Sequence, residues 1–264
     1  MAVAATLLAA LSSLPAAAQS WSLYDNGAAS YAIEPSGSTA SRYTYDISLN
    51  VGGTSTGTPV NVEMDTGSTG IVITADLIST DKNALTGPTG WAFYNSSGLL
   101  VTGVLTQATV TYIDTANGTP VTASVPVLAV KNRYCLGVGG NSGNCSETGT
   151  IAMMGVGFGR NTLGADTDIF DVGRLAQLRD AADRSALASR LIAATTTPLT
   201  YNPLVHIVPR GDATINQGYI IRDGRIEVGL TAANTGNFAY GKLAATTSAD
   251  GTGNWTQTPM AVSV

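Results

Sequence analysis

Glu63-Met64-Asp65-Thr66-Gly67-Ser68-Thr69-Gly70 lies between two β-rich runs, Val60-Asn61-Val62 before it and Ile71-Val72-Ile73 after it. β-branched residues favour strands, whereas Gly and Ser favour turns. The pattern predicts a strand that ends on a carboxylate, a tight turn, and a second strand. A carboxylate carried in a loop emerging from a sheet has a rigid mount, which is what chemistry requires. No other Asp-Thr-Gly or Asp-Ser-Gly occurs in the 264 residues.

Working outward, Tyr43 to Val51 alternates polar and apolar residues as a half-buried strand does, and Gly52 to Gly57 reads as a turn before the strand Val60–Met64. Gln107–Ile113 and Val121–Val125 flank Asn117-Gly118, a hairpin signal. Residues 151–159 are apolar and end in glycines. Asp168 to Ala194 is the one helical zone, with Leu175, Leu178, Leu187 and Leu191 on one face. Tyr219–Arg222, Asp223-Gly224 and Arg225–Leu230 form a second hairpin signature. There is no internal repeat. The expected class is mostly β with one or two helices.

Composition narrows the function. Only 12% of residues are charged and the net charge is −5. No Lys/Arg cluster is available to neutralise phosphates, so a nucleic-acid partner is not expected. Residues 1–18 read as a signal peptide: an apolar run from Ala2 to Leu11 precedes Ala16-Ala17-Ala18, although the usual positive start is missing. Export, to the cell exterior or a periplasm, follows from that reading; the alternative is an apolar N-terminal helix of the fold. No segment reaches the length of about 18 apolar residues that a membrane helix needs, so no membrane anchor is expected. Cys135 and Cys145 enclose a Gly- and Asn-rich loop and are expected to pair in an exported protein, against the alternative of two free thiols. With one histidine, His206, no metal site is expected, and no cofactor motif is present. Sequons stand at Asn95, Asn117, Asn144 and Asn254, with meaning only in a glycosylating host.

Other motifs carry less. Gly53-Thr54-Ser55-Thr56-Gly57 matches the serine-hydrolase pattern, but that pattern requires a strand-to-helix elbow and here a strand follows. Gly155-Val156-Gly157-Phe158-Gly159 has a misplaced third glycine for a nucleotide loop and reads as a tight turn. Asp166, Asp168 and Asp171 lack calcium-loop spacing and suit the start of the following helix. Trp91, Phe93 and Tyr94 fit either the lining of a peptide cleft or the packing of a hairpin.

The Asp65-Thr66-Gly67-Ser68-Thr69 run, with the elements that follow it in order, resembles the pepsin-like aspartic proteases over most of the chain after about Tyr43. The resemblance implies a pepsin-like acid protease fold: a six-stranded-type β lobe with few helices, and a second lobe that is incomplete. In those terms 19–42 is a polar lead segment, 43–210 the N-terminal lobe, and 211–264 the inter-lobe sheet and the start of the second lobe. Asp65 is implied to be one catalytic carboxylate. Gly67 would offer its N–H to it, Ser68 would hydrogen-bond its outer oxygen, and Thr66 would brace the loop. Tyr94, with Trp91, would belong to the substrate-covering flap, although the family's Tyr-Gly-Thr-Gly is displaced here to Tyr94-Asn95-Ser96-Ser97-Gly98 and Thr102-Gly103. Met154-Gly155 resembles the segment that threads beside the Asp loop. The implied activity is endopeptidase hydrolysis of protein or peptide substrates by an Asp-activated water.

That chemistry needs two carboxylates sharing one proton, because like charges held close cannot both ionise. Asp65 alone cannot supply both, and the family's second Asp-Thr-Gly has no counterpart up to Val264. The isolated chain is therefore expected to be inactive unless a longer chain or another molecule provides the second carboxylate, and an incomplete second lobe is expected to self-associate. Two alternatives stand beside this reading: a peptide-binding protein that keeps the cleft without turnover, and a secreted β domain in which the Asp65 turn is structural.

Overall fold

The computed structural model describes residues 24, 27–39, 42–113, 115–116, 118–140, 142–157, 163–164, 175, 180–194, 201–236, 238, 245–247 and 253–255. The expected signal segment 1–18, Asn117, Asp166, Asp168, Asp171 and Leu178 lie outside them. The described elements, in chain order, are β1 Tyr31–Ile33, β2 Gly37–Thr39, β3 Arg42–Val51, β4 Thr54–Ser55, β5 Val60–Asp65, β6 Thr69–Thr74, α1 Ala75–Ile78, β7 Thr89–Tyr94, β8 Leu99–Tyr112, β9 Val121–Cys135, β10 Ala152–Val156, β11 Leu163–Gly164, α2 Ala181–Ala194, β12 Ile207–Val208, β13 Tyr219–Arg222, β14 Arg225–Val228, α3 Ala232–Thr235, β15 Ala245–Thr247 and β16 Gly253–Trp255.

The protein is mostly β, as the residue pattern predicts. Strands β8, β3, β5, β10, β6 and β9 pair in that order, and β9 pairs back onto β8, so six strands close into a barrel. Closure removes the open edges that a flat sheet would leave. The alternation in the sequence decides what fills it. Tyr45, Ile47, Leu49 and Val51 of β3 point inward. Val60 and Val62 of β5, Ile71 and Ile73 of β6, Met154 and Val156 of β10, and Val121 to Ala129 of β9 at alternate positions join them.

Beyond the barrel, the outer ends of β8 and β9 continue with β7 as a three-stranded extension. One face of it, with Ala92, Leu99 and Val101, packs with Val72, Ile151 and Leu163 in a second cluster. The opposite face, with Trp91, Phe93 and Leu100, packs with Leu175 and with Leu187 and Leu191 of α2. The extension bends through a bulge at Thr102/Gly103, where the backbones come so close that a Cβ on Gly103 would lie 1.9 Å from the Ala129 carbonyl oxygen.

One element differs from the sequence reading: Tyr31–Ile33, within the stretch read as a polar lead, is a strand antiparallel to β14, and Ile33 is fully buried in the barrel core. The expected helical zone holds α2, and Leu175 is helical as well; the rest of 168–179 lies outside the described residues. The Tyr219–Val228 hairpin forms as expected, with Asp223 (φ 51°) and Gly224 (φ 80°) in the left-handed conformations of a type I′ turn.

Candidate active site

The chain order of the strands places Asp65. β5 and β6 are consecutive in sequence but do not pair; β10 lies between them, parallel to β5 and antiparallel to β6. The connection 66–68 must therefore cross over the end of β10, and it carries Asp65 at its start. Gly155 is the β10 residue in register with Asp65 on one side and with Gly70 on the other.

Two glycine-bearing contacts hold the crossing in shape. The Gly67 N–H donates to Asp65 Oδ1 at 2.7 Å, as an Asx-type turn allows. Gly157, just past β10, donates its N–H to the Ser68 carbonyl at 2.7 Å and accepts from Thr69 Oγ1. Behind it, the Val156 carbonyl accepts from Asn202 Nδ2 at 2.9 Å and from the Tyr219 hydroxyl. Burial pushes the Tyr219 phenol up to about 12, partly offset by its hydrogen bond with Asn202. Thr69, Gly157, Asn202 and Tyr219 were not legible as support. Thr69, Gly157 and Tyr219 lie in quoted motifs that do not announce these contacts, and only the Asn202-Pro203 pair hints at the short 3-10 turn that Asn202 caps.

Each expected site residue can now be placed. Asp65 is half-buried, and Thr66 and Gly67 are exposed. The Thr66 side chain makes no hydrogen bond with a described residue. Ser68 departs from expectation. It is 4% exposed, and its buried Oγ has no hydrogen-bond partner, the Asp65 carboxylate included. Its side chain turns instead toward the space left by Gly155, where a Cβ would lie 2.7 Å from Oγ. Met154 fills the barrel core, and its sulfur accepts from the Tyr112 hydroxyl at 3.5 Å.

Tyr94 ends β7, directly before the turn Asn95–Gly98, and is half-buried against the cluster of Ala92, Leu99 and Leu163. Its hydroxyl is buried without a hydrogen-bond partner. Burial, then the negative charge of Asp65, holds the phenol protonated far beyond the ordinary tyrosine range, and Arg133 acts in the opposite sense. Asp65, Tyr94 and Arg133 therefore share one electrostatic neighbourhood. Trp91 does not join them. It is 0% exposed on the opposite face of the extension, against Gly164, where a Cβ would lie 2.3 Å from the indole. A side chain of alternating register to Tyr94 cannot line the same cleft.

Cys135 and Cys145 form a disulfide with Cα atoms 5.8 Å apart. Among the described residues no group of three or more His, Cys, Asp or Glu could hold a metal ion, and no helix is long and apolar enough to cross a membrane. His206 follows the short turn Pro203–Val205, and burial pushes its imidazole down.

Chemically, the arrangement offers one carboxylate with a backbone donor on one oxygen, near a buried phenol and a guanidinium. No protein-family model matches the chain, and no curated protein matches it.

Proposed function

We propose that this protein contributes one half of a two-carboxylate centre for peptide hydrolysis, in the manner of the pepsin-like aspartic proteases. Asp65 is the carboxylate. The observation that carries the reading is the crossing loop: Asp65 ends a barrel strand beside Gly155, half-buried, with the Gly67 N–H on Oδ1. Such a mount fixes the position of a carboxylate.

In its ionised form Asp65 takes a proton from a water, which then attacks the peptide carbonyl. A second carboxyl, in its acid form, protonates the carbonyl oxygen to give a tetrahedral diol. As the C–N bond breaks, that carboxylate takes a proton back from a diol hydroxyl, and Asp65 passes the proton it took from water to the leaving amine. Close approach of the two acids splits their affinities for protons, so one stays charged while the other stays neutral. The sequence holds a single Asp-Thr-Gly, so the second carboxylate comes from a longer chain or a second molecule. Self-association is part of this reading. Export is proposed with it, on the N-terminal apolar run and a disulfide that persists in oxidising compartments.

The single Asp-Thr-Gly also favours a second reading, a protein that binds extended peptides without cleaving them. Substitution Asp65→Asn separates the two. Under the peptidase reading it abolishes peptide hydrolysis and leaves thermal stability nearly unchanged. Under the binding reading neither form hydrolyses peptide, and both bind it.

A further inference from the structure

Register puts Arg133 on the Asp65 side of the β7–β8–β9 extension. Tyr94 pairs with Leu99 and Leu99 with Cys135; two residues along, Ala92 pairs with Val101 and Val101 with Arg133. Paired residues share a face and every second residue returns to it, so Tyr94 and Arg133 project from the same surface. The charges of Asp65 and Arg133 both reach the Tyr94 phenol.

The guanidinium is held still. Nε donates to the Ser146 carbonyl and Nη1 to the Gly149 carbonyl, each at 3.1 Å. Both acceptors lie just beyond Cys145, whose disulfide to Cys135 ties their segment to the end of β9. These are neutral acceptors. Arg133 pairs with no carboxylate among the described residues, and the nearby Glu147 spends an oxygen on the Cys135 N–H at 3.0 Å. Nη2 has no described partner. Arg133 is half-buried, so its charge is weakly hydrated yet reachable. In a chain of net charge −5, a cation anchored by two carbonyls and left without an anion is a site for one.

We propose that Arg133 is a specificity-determining residue of the Asp65 site, receiving a carboxylate of a bound extended peptide. This rests on reading the Asp65 face as a peptide site. The neighbouring bonds fix the fork's plane, and the Nη1–Nη2 edge takes the carboxylate end-on. The carboxylate comes from an acidic side chain or from the peptide's C-terminus.

The test is equilibrium binding to the full chain. Two sets of short randomised peptides with amidated ends are compared, one containing Glu where the other contains Gln. A third set carries Gln with free C-termini. Expected is a preference of about tenfold for a carboxylate-bearing set over the amidated Gln set, as a charge-assisted bidentate contact provides. The set that gains identifies the source. Arg133→Gln is expected to erase the preference; Arg133→Lys is expected to keep a reduced one and carries the test should Arg133→Gln not fold. A wild-type protein that binds the sets equally or not at all, or a preference that survives Arg133→Gln, overturns the proposal. Hydrolysis is read separately. Carboxylate preference without hydrolysis leaves Arg133's role standing and removes the peptidase reading, and hydrolysis without preference does the reverse.

Discussion

Gly155 lies in register with Asp65 across the parallel β5–β10 ladder, and Ser68 occupies the space that a side chain at Gly155 would need. A Cβ there would lie 2.7 Å from Ser68 Oγ and 2.8 Å from the Thr69 nitrogen. Part of that clash is with backbone, which cannot swing away. Gly155→Ala is therefore expected to cost about 1–3 kcal/mol, as overpacking does. The melting temperature should fall by about 2–4 °C per kcal/mol. Because the displaced atoms belong to the Asp65 loop, peptide hydrolysis or binding should fall further than the loss of folded protein accounts for, measured at a temperature where both forms are folded.

Trp91 tests whether the extension packs as described. The indole is fully buried against Leu100, Leu187 and Leu191. Trp91→Ala is expected to destabilise by about 3–5 kcal/mol, the usual cost of emptying a large aromatic site. Urea unfolding checks this. A near-wild-type midpoint together with altered peptide affinity would return Trp91 to a cleft.

Strands β3, β5, β8 and β9 and the two hairpins read from Asn117-Gly118 and Asp223-Gly224 are legible because their signals are local. Tyr45, Ile47, Leu49 and Val51 announce their face by alternation, and Asp223-Gly224 announces a turn that needs two left-handed residues. What was not legible is non-local. Nothing near residues 151–159 states that Ala152–Val156 pairs between two strands some ninety residues earlier, except through resemblance. β1 spans three residues, and its partner Val228 lies almost two hundred residues away. Trp91 and Tyr94 are near neighbours in sequence, yet the pleat sends them to opposite faces. Asp65 itself was legible, since a carboxylate at a strand end followed by Thr-Gly-Ser is a local pattern. The side-chain direction of Ser68 depends on the cavity at Gly155 and was not.

Tyr219 links the hairpin Tyr219–Val228 to the end of β10, and its titration should be visible in stability. Its folded pKa is raised from 10.0 to about 12, chiefly by burial. The protonated phenol is thus favoured in the folded protein. Its stabilisation is complete below pH 10 and is lost as pH rises from 10 toward 12. Tyr219→Phe removes the hydrogen bond to Val156, for about 1 kcal/mol near neutral pH. It should also flatten the alkaline decline in the urea midpoint. An equal decline in both proteins would place the alkaline sensitivity elsewhere.

The most direct test of the account is the rate of hydrolysis of a mixed peptide pool at acidic pH, by wild type and by Asp65→Asn, across a range of protein concentrations. Wild type should cleave where two molecules associate, with specific activity rising with concentration, or as a longer chain that carries the second carboxylate, and Asp65→Asn should cleave in neither setting while melting with the wild type. Cleavage by Asp65→Asn at the wild-type rate, or none by wild type in either setting, would contradict it.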